Sequence, residues 1–499
     1  MLHRDPHVLR HGTLTVYLKS LEGARLLQLL VKKLPEGRPV VWLDSARHHP
    51  ATGRWSLLGY DPWLTLVARD GAVEVRTSHA TQRRHAHPLS VLDEVLSRYR
   101  LPSSSQPQAR AIGLMGFFSY ECNRWIERLP APRAAEPSLP DMVWFGMRMA
   151  ILVDHIEQRT WLLSVVDPHQ PRPVARRRAI AALREAEDAL VGSDEFAAVE
   201  PPTLDPAAEP VHPAAGLQAT STQREFETMV TRALEAIRAG EMFQANLSQR
   251  FTTDWRGPSL PLYHTLRRIN PSPFACWLSS DACSVVSCSP ERLVRVQDGR
   301  VDTRPIAGTR PRGATPEDDA LQSLELLLSE KERAEHIMLV DLARNDLGRV
   351  CEVGSVSVGD LMALEEYSHV IHIVSEVSGT LRRGAGTMDV VRAVFPGGTI
   401  TGCPKVRCMQ IIRELEPVAR GLYTGSLGYI GFDGTMDLNI AIRTMVIQGE
   451  RLSFHVGAGI VADSDPEREY HETLAKAGAL VRALGEARAL SREPHALLR

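Results

Sequence analysis

Two pairs of glutamates are spaced to hold a hard cation. In SEKERAEHIMLVDLARNDLGRV (Ser329–Val350), Glu332 and Glu335 lie i,i+3 apart, so on a helix they share a face. Glu469 and Glu472 repeat the spacing in DSDPEREYHETLAKAGALVRAL (Asp463–Leu484), which reads as the last long helix. Mg²⁺ takes a few carboxylates, water and an anionic substrate in preference to an all-protein cage. Two such helices could converge on one ion. The same spacing also describes a solvated helix face.

Other segments suit an anion. FPGGTITGCPK (Phe395–Lys405) is too rich in Gly and Thr for a helix. Its amides and hydroxyls could cradle carboxylates at the start of the helix VRCMQIIREL, or simply form turns. VGAGIVADSD (Val456–Asp465) puts Gly457, Ala458 and Gly459 at a strand end, where small residues let backbone N–H groups approach an anion. LNIAIRTMVI places one charge, Arg443, inside an apolar strand; it is either paired structurally or used on a substrate carboxylate. Glu291 in CSPERL and His372 in HVIHIVSEVSG are isolated acid/base candidates, and a lone buried Glu or His is often structural.

The elements that must position these groups fall into two regions. In the first region, 1–192, residues 12–165 alternate as strands do, in VVWLDSA, WLTLVARDGAVEVR, IGLMGFFSYE and MRMAILVDH. Val174 to Val191 has helical spacing. Residues 193–219 read as a Pro- and Ala-rich linker. TSTQREFETMVTRALEAIRAGE opens the second region, 220–488, as a helix with Ser or Thr caps and Gly240 at its end. SREPHALLR (Ser491–Arg499) reads as frayed, within a tail of 489–499. Length alone allows about three domains.

Composition narrows the class. The 499 residues carry 58 Lys+Arg against 60 Asp+Glu, a net charge of -2, which gives no electrostatic pull toward nucleic acid or a membrane surface. Only six of the basic residues are Lys. Seven scattered cysteines show no CxxC and no zinc spacing, so reduced thiols in a cytoplasmic protein are expected. The N-terminus lacks a signal-peptide core, and no apolar run reaches the ~18 residues of a membrane span.

The long motifs, taken in order, resemble one family. FQANLSQRF, SCSPERL, RPIAGTRPRG, EKERAEHIMLVDLARNDLGRV, HVIHIVSEVSG, FPGGTITGCPKVRCMQII, YTGSLGYIG, IAIRT and GAGIVADSDPEREYHETLAKA are similar to those of the chorismate-utilising enzymes. These comprise component I of anthranilate synthase and of aminodeoxychorismate synthase, with the isochorismate and salicylate synthases. The resemblance spans about Thr220 to Ala487, and more loosely 12–165. It implies an α+β fold in which two packed antiparallel β-sheets carry helices outside, with the N-terminal region interleaved; three domains would then be too many. It implies that Glu332, Glu335, Glu469 and Glu472 hold Mg²⁺ against the ring carboxylate of chorismate. Glu291 would be the general acid for the C4 hydroxyl and His372 would sit beside the ring. Arg443 and Tyr423 would bind the enolpyruvyl carboxylate with the amides of Gly457 to Gly459. Thr309, Thr399 and Lys405 would complete the substrate pocket.

Two positions without lysine discriminate within the family. Isochorismate and salicylate synthases carry a Lys that activates water where this chain has Gln244, and a neutral amide cannot take that proton. Ammonia is therefore the expected nucleophile. Some aminodeoxychorismate synthases carry a covalently reacting Lys where RPIAGTR has Ala307, as anthranilate synthases do; an alanine cannot attack. QANLSQRF and GLMGFFSYE…LPDM look more like the aminodeoxychorismate synthases, since anthranilate synthases tend towards QVVPSRRF. The resemblance implies 4-amino-4-deoxychorismate as product, for p-aminobenzoate and folate, with anthranilate as the alternative and a non-catalytic sensor as a third class. The Trp-binding LLES element appears as WLDS (Trp42–Ser45) and NPxPY as NPSPF (Asn270–Phe274), leaving a Trp-type site in the N-terminal region open. No segment resembles a class I glutamine amidotransferase, so ammonia is expected from a separate glutaminase subunit.

Overall fold

The computed structural model describes residues 6–11, 14–34, 37–47, 52–131, 133, 139–166, 172–191, 216–313, 315–366 and 370–492. Most of the expected linker, 193–215, lies outside these; its last residues, Gln218–Ala219, pair with Phe251 and Thr252. The expected tail begins too early. The last helix, Pro466–Arg492, runs past Ala489 because EARAL is made of strong helix formers and Ala487 is buried. Residues 493–499 lie outside the described residues.

Every named strand pairing is antiparallel. Hydrogen bonding runs through one continuous network of strands, not through two separately bonded sheets. The long strand Trp55–Arg69 explains this. It pairs along its length with Met142–Asp154, and the register slips between Pro62 and Leu64, beside Asp61 at φ 56°. Such a bulge bends a strand, so one chain serves two layers.

Alternation sorts the core. Along Met142–Asp154, Met149, Ile151 and Val153 enter one apolar cluster while Ala150 and Leu152 enter another. Both faces are buried, which is why MAILVDH is a nearly unbroken apolar run. The cluster of Ala150 and Leu152 gathers Phe117, Phe118, Trp144 and Phe395; that of Met149 gathers Trp42, Leu58 and Tyr263 with Leu480 and Leu484 of the last helix.

The N-terminal and catalytic regions share the sheet. Val40–Asp44 pairs with Phe274–Ser279, and Gly113–Phe118 pairs with Ser426–Gly431. The helix Gln223–Arg238 starts in a capping box between Thr222 and Glu225, as its sequence suggests. Glu330–Gly348 forms the helix that carries the first glutamate pair, with Ser329 capping the Glu332 amide. All seven cysteines are free. Among the described residues no helix is long and apolar enough to cross a membrane.

Candidate active site

The centre is built on the strand Gln244–Asp254, formed by QANLSQRF. It pairs with Arg451–Ile460, so Ser248, Leu247 and Asn246 lie opposite Gly457, Ala458 and Gly459. The two glycines face the site and Ala458 packs into an apolar cluster with Leu247. A Cβ at Gly457 would stand 2.6 Å from Tyr423 Oη and 2.7 Å from the Leu247 carbonyl. One at Gly459 would stand 2.9 Å from Gln244 Nε2. Only glycine leaves this space open.

Gln244 Nε2 donates to Glu335 Oε1 at 2.8 Å, so the strand touches the first glutamate pair. Glu332 lies 3.4 Å from Arg310 Nη1. Glu469 is buried and accepts from Ser464 Oγ at 2.6 Å. Glu472 is 49% exposed and pairs with Lys476 at 2.7 Å, while the same ammonium donates to the Gly457 carbonyl at 3.0 Å. Among the described residues, no three His, Cys, Asp or Glu lie close enough to hold an ion by themselves. A hard cation here would need an anionic substrate and water beside one or two protein carboxylates. Glu335 Oε1 lies 3.8 Å from a Cβ built at Gly459, and Glu469 is the buried member of the second pair.

Glu291 lies between the strands Ser284–Ser289 and Arg292–Gln297. It is 6% exposed. Burial pushes its carboxyl up to about 7, against the opposing pull of the Thr399 hydroxyl and the Ile306 amide. Thr399 Oγ1 donates to its Oε1 at 2.8 Å. A carboxyl poised there can give a proton near neutrality. His372 is buried beside this acid's strand neighbours. Its Nδ1 is 3.2 Å from the Gly308 carbonyl, which accepts only, so the proton sits on Nδ1 and Nε2 is the acceptor nitrogen. Burial first, and then Arg443, hold the imidazole neutral with a pKa of about 4.

Arg443 departs from the expected setting. It does not lie within a strand. Asn439 ends one strand, Thr444 begins the next, and Arg443 occupies the break at φ 51°. A left-handed backbone at a non-glycine residue is strained and is typical of functional sites. Among the described residues no carboxylate pairs with Arg443, and burial draws its pKa below the ordinary value. Tyr423 is buried, its phenol pushed up by burial, so it stays a neutral donor. Its ring stacks on His455, with centroids 5.2 Å apart and planes at 10°.

Thr309 pairs with His372 along the strand Ile306–Pro311; its side chain lies outside the described residues. Ala307 is buried one residue from the amide that reaches Glu291. Lys405 is engaged elsewhere: Nζ donates to Asp346 at 2.6 Å and to the Val394 carbonyl at 3.0 Å, fastening the Gly- and Thr-rich loop. Asn246 is a residue that sequence reasoning missed. Its Nδ2 donates to Tyr423 Oη at 3.4 Å. The signal was present, because QANLSQRF and QVVPSRRF differ at that position.

A separate cavity of ≈ 230 Å³ contains none of these groups. It is lined by Asp44, Ser45, Pro273 and Phe274, so WLDS and NPSPF meet on its wall, with Arg110 and Tyr429.

The chorismate binding enzyme family model matches residues 40–482. Aminodeoxychorismate synthase component 1 of Bacillus subtilis is 38% identical over 458 residues, covering 92% of this chain and 94% of the relative. Anthranilate synthase component 1 of Synechocystis sp. is 40% identical over 467 residues, covering 90% and 91%. The crystal structure of anthranilate synthase component I from Streptococcus pneumoniae superposes with a TM-score of 0.73 at 32% identity, over 87% of this chain and 93% of that one.

Proposed function

The chain belongs to the chorismate binding enzymes, and from that membership we propose that it is the synthase subunit that converts chorismate and ammonia to 4-amino-4-deoxychorismate. Glu291, protonated near neutrality, gives its proton to the departing C4 hydroxyl, which leaves as water. Thr399 orients that carboxyl. Arg443, the Tyr423 hydroxyl and the backbone beside Gly457 and Gly459 take the enolpyruvyl carboxylate, where a fixed cation and a neutral donor suit an anion. Neutral His372 lies against the ring. Ammonia takes the place of the hydroxyl, and the proton it gives up restores the Glu291 carboxyl. Glu335 and Glu469 would hold Mg²⁺, which would supply charge neutralisation for the anionic substrate.

The observation that carries the amination is the Gln244 amide on Glu335. It occupies the place of a water-activating lysine and has no basic nitrogen. The observation that favours 4-amino-4-deoxychorismate is Asn246, whose amide reaches the substrate-facing Tyr423 where the anthranilate synthase form has valine. Ala307 favours a second reading, anthranilate as product. Ammonia would come from a glutaminase subunit docked on this chain. Glutamine-dependent turnover by the purified chain alone would refute that part.

Chorismate with ammonium and Mg²⁺ is the test. A product that becomes p-aminobenzoate only after a lyase is added supports the reading. Fluorescent anthranilate without a lyase replaces it with the second. Bound chorismate that is never consumed would make the chain a sensor.

A further inference from the structure

Arg420 is 2% exposed, and no step above uses it. Its guanidinium spends every donor. Nε reaches Glu416 Oε2 at 2.9 Å and Nη2 reaches Glu416 Oε1 at 2.7 Å. Nη1 donates to the Ile400 carbonyl at 3.0 Å and to Thr424 Oγ1 at 3.1 Å. Nη2 also donates to the Asn246 carbonyl at 2.5 Å. The flat group lies between two rings, 4.8 Å from the Tyr120 centroid and 5.5 Å from that of Tyr423.

The acceptors are not arbitrary. Ile400 follows Thr399, which holds Glu291. Thr424 follows Tyr423, donates its hydroxyl to the Tyr423 carbonyl at 2.6 Å, and donates its amide to the Ala441 carbonyl, two residues before Arg443. Asn246 donates to the Tyr423 hydroxyl. Glu416 in turn accepts from the Ser248 amide and hydroxyl on the same strand. Three chain segments, the loop whose Thr399 holds the acid, the segment that carries the phenol and the strand floor, thus converge on one cation.

A buried ion pair is weak evidence for stability, because apolar packing of similar volume often does as well. What apolar packing cannot do is fix three backbones at set angles, and a lysine has no rigid fork with which to do it.

We propose that Arg420 is a positioning residue of the chorismate site, holding the Thr399 loop, Tyr423 and Asn246 in one register. The inference rests on the reading that Tyr423 receives the substrate carboxylate. The test compares Thr424→Val, Arg420→Lys and Tyr423→Phe by chorismate KM, kcat and thermal unfolding. Thr424→Val is nearly isosteric and leaves the Arg420–Glu416 pair in place, so it tests the idea even if Arg420→Lys does not fold. Thr424→Val is expected to unfold within a few degrees of the unmodified chain while its KM rises about tenfold. Arg420→Lys, which keeps the charge and loses the fork, is expected to raise KM further. An unchanged KM in Thr424→Val beside a raised one in Tyr423→Phe would overturn the role of Arg420 alone. A raised KM in Thr424→Val beside an unchanged one in Tyr423→Phe would overturn the reading of Tyr423 and support Arg420 acting through Thr399 and Asn246.

Discussion

The Thr399 hydroxyl donates to Oε1 of Glu291 at 2.8 Å, joining the Gly- and Thr-rich loop to the buried acid. Burial favours the neutral carboxyl and this bond favours the charged one. Their opposition leaves Glu291 near the pH at which a proton can be both held and given.

Thr399→Val removes the donor that favours the carboxylate, so the pKa of Glu291 should climb above about 7. A general acid works in its protonated form. The alkaline limb of the kcat profile should therefore move to higher pH, while the plateau falls because the carboxyl is no longer oriented. A pH–rate profile measures both. A stationary limb would show that Thr399 does not tune this acid.

Glu291→Gln should separate stability from catalysis. The unfolded carboxyl ionises near its ordinary 4.5 and the folded one near 7. The native state therefore binds more protons between those values. Its stability contribution is whole below 4.5 and is lost as pH rises to about 7. The amide variant lacks that slope, so it should gain stability over the parent as pH rises through this window. Its kcat should fall by about 10²–10⁴-fold. Denaturant midpoints at acid and neutral pH would expose a missing slope difference.

Gly457→Ala drives a methyl to 2.6 Å from Tyr423 Oη and 2.7 Å from the Leu247 carbonyl. Backbone cannot yield as a flexible side chain does, so the strands must part or Tyr423 must shift. We expect about 1–3 kcal/mol of destabilisation and a raised chorismate KM. Unfolding curves with an unaltered KM would argue that Tyr423 does not serve the substrate.

Glu469→Gln keeps the shape of a side chain bonded to Ser464 at 2.6 Å and removes its charge. Activity should then require more Mg²⁺ for half-saturation, whereas Glu472→Gln, on the exposed Lys476 pair, should change that requirement far less. Titrations of activity against Mg²⁺ compare the two. Equal shifts would place both carboxylates on the ion.

The sequence displayed those features that rest on local pattern. Alternation announced the strands, the capping box announced the helix from Gln223, and residue type singled out Glu291 and His372. It could not display convergence. Arg443 read as part of a strand because its apolar neighbours continue the pattern, yet the strand ends at Asn439 and Arg443 turns at φ 51° before the next begins. Lys405 read as a substrate group because it closes a Gly- and Thr-rich motif, yet Asp346, 59 residues away, takes its charge. Arg420 sat unremarked in PVARGLYTG, because its partners Ile400 and Asn246 are long-range and offer backbone oxygens, which carry no side-chain signature.

Gln244→Lys tests the nucleophile directly. Gln244 Nε2 meets Glu335 Oε1 at 2.8 Å, so an ammonium at that position would pair with the same carboxylate. That pairing favours the charged lysine, and only the neutral amine can take a proton from water. Without ammonia, the unmodified chain should leave chorismate intact. The lysine variant should form a hydroxylated isomer, at a rate that climbs as pH rises above neutrality. Chromatography of ammonia-free reactions across that range would detect it. If no hydroxylated product appears at any pH while the variant still binds chorismate, position 244 does not choose between water and ammonia.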